Sequence, residues 1–275
     1  MTGAGNAVAL VSAKGSPGVT TTALLLAAVW PGGATLLEAD PAGGDLRTQF
    51  SDPTGQPLRA DRGVLSLLTA QAPAHDDVDA LVDELTAHSQ LLPGGLPVVL
   101  GPSNASQVEA LRRQWSQLAH ALRRQSTGQH AVVIDAGRLG DPSSLALTMP
   151  LLRTCAATIV VARGTVTSLS HARDLLGLLS QVGIPTGLLL IADAGDSRDV
   201  AAAVGLTPER LHVLPHDPLS ATAVTGPWNR KLDRSQLLAA ARQIAGDLHR
   251  RQTAGPPPTG GDRLIDLTRD GAVPA

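Results

Sequence analysis

Cysteine, aromatics and lysine are all scarce in this chain of 275 residues. The single cysteine, Cys155, excludes an intrachain disulfide framework, a cysteine-type zinc site and an all-cysteine iron–sulfur ligand set. A reducing cytoplasm is the expected location. Aromatics make up 1% of residues: Phe50, Trp30, Trp115 and Trp228, with no tyrosine. The core must therefore be aliphatic, and stacking platforms for single-stranded nucleic acid are not expected. No apolar run approaches the ~20 residues that span a bilayer, so no membrane span is expected. The N-terminus lacks the basic segment of a targeting signal. Net charge is −2, which argues against wholesale binding of polyanions. Of 22 basic residues, only Lys14 and Lys231 are lysines. Where arginine is the default cation, a persisting lysine marks a place that arginine does not fill.

What the chain does contain is alternation. Short apolar runs occur at Ala7–Ser12, Ala34–Glu38, Leu96–Leu100, Ala131–Asp135, Thr158–Ala162, Gly187–Ile191 and Leu211–Leu214. They are nearly continuous rather than alternating, the pattern of strands buried on both faces of a parallel sheet. Helical patterns are predicted between and after them, at about 20–29, 62–71, 76–90, 104–126, 141–153, 166–182, 196–204 and 233–251. This βα rhythm predicts an α/β fold, a mostly parallel twisted sheet of about seven strands with helices on both faces. Residues 1–252 read as one domain, and 253–275, with GPPPTGGD, as a flexible Pro/Gly-rich tail. The short segment 263–270 within it, RLIDLTRD, reads as disordered or as a peptide that docks on a partner.

The first apolar run leads into Lys14-Gly15-Ser16-Pro17-Gly18-Val19-Thr20-Thr21-Thr22 and then an Ala/Leu helix. A strand, a glycine-containing loop and a helix N-terminus together make an anion site, because loop N–H groups and the helix dipole favour negative charge at one place. A threonine opening that helix can offer its hydroxyl to Mg²⁺.

This segment resembles the deviant Walker A loop, K-G-G-x-G-K-[ST], of the MinD/ParA-type P-loop ATPases. Lys14 matches the signature lysine, Gly15 and Gly18 the glycines, and Thr20 the Mg²⁺-binding hydroxyl residue. In EADP, Asp40 matches the acid that positions the attacking water, and Glu38 stands where aspartate is usual. HAVVIDAG (130–137) resembles Walker B, with Asp135 orienting Mg²⁺ through water. Segments 158–176 and 214–224 resemble the family's later segments, so the likeness spans about residues 7–250 in order. It implies ATP and Mg²⁺ as ligands, with Gly15, Ser16, Gly18, Val19, Thr20 and Thr21 cradling phosphates. It further implies a homodimer in which Lys14 reaches the partner's nucleotide, acting on a protein partner not named by the sequence. The Ala- and Arg-rich chain is similar to CpaE/TadZ-like members, which position pilus or secretion assemblies.

Three departures bear on chemistry. Val19 stands at the principal P-loop lysine, which bridges the β- and γ-phosphates. Ser16 replaces a glycine, and Pro17 removes an N–H donor. Hydrolysis is therefore expected to be impaired or absent. Arg138, Arg163 and Arg47 are the candidates for compensating charge, the first two following strand ends where ligands bind in open α/β sheets. Asp193, after the sixth run, is a candidate base contact. Three functions stay open: a nucleotide-dependent positioning protein, a pseudo-ATPase scaffold that binds no nucleotide, and a ParA-like partition ATPase. The last would hold non-specific DNA with Arg112, Arg113, Arg123 and Arg124. His212 and His216 flank a strand and a proline and do not share a helix face, so no metal site is expected of them.

Overall fold

The computed structural model describes residues 6–15, 17–69, 84–110, 115–116, 118–119, 122, 130–192, 197–224 and 230–253. Its centre is an eight-stranded sheet in the order β3-β4-β2-β5-β1-β6-β7-β8. The strands are β1 (Ala7–Ser12), β2 (Ala34–Glu38), β3 (Gln90–Leu91), β4 (Pro97–Val99), β5 (Ala131–Arg138), β6 (Ala157–Arg163), β7 (Thr186–Ala192) and β8 (Leu211–Pro215). All seven apolar runs are strands. The eighth, β3, is two residues long and pairs antiparallel with β4 at the sheet edge, whereas every other pairing is parallel. Two residues carry no period, so the sequence pattern of about seven strands misses it.

Alternation of side chains divides the aliphatic residues between two cores. Ala7, Ala9 and Val11 of β1 face one, with Trp115, Leu118 and Leu122. Val8 and Leu10 face the other. There they meet α1 (Val19–Ala28), whose Leu24, Leu25 and Leu26 are all buried. A helix with so little polar surface is stable only when enclosed. Its cover includes the helix Gln236–Thr253, which presents Leu237, Leu238, Ala241, Ile244, Ala245 and Leu248. Each such leucine contributes ~1.5–3 kcal/mol by leaving water.

Further helices among the described residues include α2 (Leu46–Gln49), α3 (Val64–Thr69), α4 (Ala105–Ala110), α5 (Pro142–Leu152), α6 (Val166–Gln181), α7 (Ser197–Ala203), α8 (Pro218–Val224), α9 (Arg230–Asp233) and α10 (Gln236–Thr253). Two caps fix how α5 and α6 begin: Asp141 accepts hydrogen bonds from the N–H groups of Ser143 and Ser144, and Thr165 accepts one from Ser168. The short helices α2, α8 and α9 go beyond the sequence pattern, because segments so short show too little periodicity. Val108, Trp115, Leu118 and Leu122, within the helical pattern predicted at 104–126, are buried. The four arginines of that stretch lie outside the described residues, as do Ser16, Asp193, residues 70–83 in the region of the helical patterns at 62–71 and 76–90, and the tail beyond Thr253. Among the described residues no helix is long and apolar enough to cross a membrane.

Candidate functional site

Strand β1 sits at the middle of the sheet between β5 and β6. The chain leaves β1 toward the β2 side, and after β5 it crosses to the other side as β6. Loops therefore part around the C-terminal end of β1, which opens a crevice where ligands bind in open α/β sheets. The crevice is a cleft of about 560 Å³, within the range of small-molecule and cofactor sites.

The loop after β1 forms one wall. Gly15 and Gly18 have φ of +78° and +99°, the left-handed region that glycine enters without strain. Gly18 is the N-cap of α1, and no side chain caps that helix. The first-turn N–H groups have no acceptor within the helix, and the positive end of its dipole lies at the cleft. Gly15, Pro17, Gly18, Val19, Thr20 and Thr21 all line it.

Behind Thr20 lies Asp135, on β5 and almost fully buried. The Thr20 side chain lies beside the Asp135 carboxyl and favours its charged form, and the Gly137 N–H donates to its Oδ1 at 3.1 Å. Burial dominates, with Asp40 and Glu38 adding repulsion, and the pKa of Asp135 is pushed up to about 7. A carboxyl held half-ionised near neutrality, one hydroxyl away from an open cleft, is a poised acceptor for a cation.

Asp40 follows β2 and lines the same cleft. Its Oδ1 accepts from the Ala42 N–H at 2.8 Å. Burial holds its pKa above the usual carboxylate value, and attraction to Arg138 partly opposes this. The carboxyl is packed against Gly137, whose φ is +59°: a Cβ there would come within 2.0 Å of it.

Glu38 has a different job. Its Oε1 accepts from the Leu46 N–H and its Oε2 from the Gly101 N–H, each at 2.9 Å. One buried carboxylate thus ties the loop after β2 to the loop after β4. The sequence marks Glu38 only as a variant of aspartate and carries no sign of this tie.

The opposite wall comes from Ile191, from Leu214 to Pro218, and from Ala221 and Thr222. It includes His216 and Asp217, which the likeness of segment 214–224 touches without giving them a place. Arg138 and Arg163 line the cleft as well. Arg47 and Lys14 do not: Arg47 lies exposed on α2, and Lys14 lines a shallower neighbouring groove with Gly15, Pro17, Arg163 and His171. His212 is a buried residue of β8.

The donor set suits a phosphate-bearing ligand with a hard cation. Uncapped N–H groups and two arginines would serve phosphate oxygens, and Thr20 backed by Asp135 would offer oxygen ligands to a cation. Among the described residues no three His, Cys, Asp or Glu side chains are grouped to hold a metal by themselves. A cation here would rest on the threonine hydroxyl, water and ligand oxygens. Magnesium binds in that way. Val19 is the misfit: it is buried at the first position of α1 and carries no charge.

No protein-family model matches the chain, and no curated protein matches its sequence. Solved structures do resemble it. A ParA family ATPase from Chlorobium tepidum TLS is 19% identical with a TM-score of 0.65, over 87% of this chain and 98% of that one. The cell division ATPase MinD of Pyrococcus furiosus is 16% identical with a TM-score of 0.65, over 91% and 99%. A complex of a Cyanothece McdA variant with ATP is 14% identical with a TM-score of 0.58, over 90% and 96%. Sheet order, the placement of the glycine loop and these likenesses agree: the chain has the fold of the MinD/ParA-type P-loop NTPases.

Proposed function

We propose that this chain binds ATP with Mg²⁺ in the cleft at the end of β1, and works as a nucleotide-dependent positioning or regulatory protein with impaired hydrolysis. The observation that carries this reading is the Thr20–Asp135 pair beneath the uncapped N-terminus of α1. In it the phosphates lie against the N–H groups of Gly15 and of residues 18–21. The Thr20 hydroxyl ligates Mg²⁺, and Asp135 orients its water. Asp40 accepts a hydrogen bond from the water nearest the terminal phosphate. The cation neutralises phosphate charge when bound.

Val19 supports the impairment. A lysine there adds charge-assisted hydrogen bonds that strengthen as charge moves toward the leaving oxygen, whereas valine adds none. The choice of ATP draws on the similar structures, one a complex with ATP and another bound to AMPPNP. Lys14, outside its own cleft and exposed, suits a role across a homodimer, with the dimer acting on a protein machine of the division, partition or pilus type.

Thermal melting with ATP and Mg²⁺ tests the reading. A ligand at one hundred times its Kd stabilises a fold by ~2.7 kcal/mol, a shift of several degrees. The shift is expected in the parent protein and not in Asp135→Ala. No shift at millimolar ATP would leave a scaffold that binds no nucleotide.

A further inference from the structure

The two strands that flank β1 end in the same residue type. Arg138 is the last residue of β5 and Arg163 the last of β6. Both are exposed and both line the cleft. The glycine loop between them starts from β1, so the arginines stand on its two sides. Arg138 reaches the start of that loop. Ser12 is its partner in the register of β1 and β5, and the Leu139 N–H donates to the Ser12 carbonyl at 2.8 Å. Its guanidinium is within electrostatic reach of Asp40 and Asp141. Arg163 borders both the cleft and the groove that holds Lys14. Apart from these two arginines and His216, the ionisable side chains lining the cleft among the described residues are Asp40, Asp45 and Asp217. A polyphosphate entering it would meet three carboxylates with no lysine at Val19 to offset them.

We propose that Arg138 and Arg163 form a two-sided clamp that supplies the phosphate charge Val19 lacks, and that they make the site selective for polyphosphates over monophosphates. This rests on the nucleotide reading above. Arginine suits this role because its planar guanidinium presents forked N–H donors that match phosphate oxygens, and because it stays protonated beside carboxylates. The clamp would reach the phosphates from strand ends rather than from the helix, so the site would bind without bridging the β- and γ-phosphates as the missing lysine does.

The test is calorimetric titration of the full chain with ATP, ADP and AMP in the presence of Mg²⁺, for the parent, Arg138→Ala, Arg163→Ala and the double variant. Both side chains are exposed, and the ligand-free melting temperatures control for any loss of fold. ATP affinity is expected to fall about tenfold or more for each arginine, the size of one charge-assisted hydrogen bond. AMP affinity should change less than about twofold. Lysine at either position should recover part of the loss. ATP binding within about twofold of the parent in the double variant overturns the clamp and leaves the nucleotide reading intact. So does an equal loss of ATP and AMP with a lowered melting temperature, which marks a structural role. A parent protein that binds no ATP overturns both.

Discussion

The side chain of Thr20 on α1 lies beside the buried carboxyl of Asp135 on β5 and favours its charged form. This pairing brings the helix that opens at the glycine loop against the strand beside β1. It also places a titrating group behind a hydroxyl that faces the cleft.

A pH dependence follows from that burial. The pKa of Asp135 rises on folding to about 7, from an ordinary aspartate value of 3.8. Between these values the folded state holds a proton that the unfolded state releases, so this group makes stability fall as pH rises from about 4 to about 7. Denaturant titrations of ligand-free protein at about pH 5 and about pH 8 should show the parent weaker at the higher pH relative to Asp135→Asn. The asparagine keeps the hydrogen-bond geometry and removes the charge. Mg²⁺-ATP should release a proton on binding near pH 7, readable as calorimetric heats that vary with buffer ionisation enthalpy.

Gly137 should not tolerate a side chain. Its φ of +59° disfavours one, and a Cβ would sit 2.0 Å from the Asp40 carboxyl. Gly137→Ala is expected to cost ~2–4 kcal/mol, combining left-handed strain with forced movement of Asp40. Gly15 also has positive φ, but a Cβ there meets nothing within 4 Å, so Gly15→Ala should cost only ~1 kcal/mol. Urea unfolding of the two variants measures the difference.

The framework of this fold is legible because parallel strands buried on both faces write themselves as unbroken aliphatic runs. Ala7–Ser12 and Ala34–Glu38 are strands at the residues predicted. The loop residues are legible because glycine at positive φ and threonine at a helix start leave a local signature. Asp40 can be placed at the cleft, and Asp135 beneath it, from their positions after apolar runs. The second wall is not legible, since His216 and Asp217 reach the cleft from far along the chain, through the order of the sheet. Nor is the Glu38 tie, whose partners are backbone N–H groups of Leu46 and Gly101 and carry no residue signal.

Glu38 should be intolerant of shortening. Glu38→Asp pulls the carboxylate back by one methylene, so it cannot hold both the Leu46 and Gly101 N–H groups. Leaving one of these donors without a partner costs ~1–3 kcal/mol. Glu38→Ala should cost more, because both are lost. Chemical denaturation gives the stabilities, and amide hydrogen exchange at Leu46 and Gly101 should show which N–H is released.

Val19→Lys should restore what the loop lacks. The site is buried at the first turn of α1, but a lysine stem can cross apolar surface and deliver its ammonium to the cleft. ATP affinity is expected to rise about tenfold or more, with measurable phosphate release. Unchanged affinity in a folded variant would mean that the loop no longer follows phosphate geometry.

The central claim is that Thr20 and Asp135 make this cleft a Mg²⁺-nucleotide site. Isothermal calorimetry of the full chain with ATP, with and without Mg²⁺, compared with Thr20→Val, tests it most directly. The account predicts saturable binding that requires Mg²⁺ and weakens about tenfold or more in the variant. Absence of binding at millimolar ATP, or equal binding by parent and variant, would contradict it.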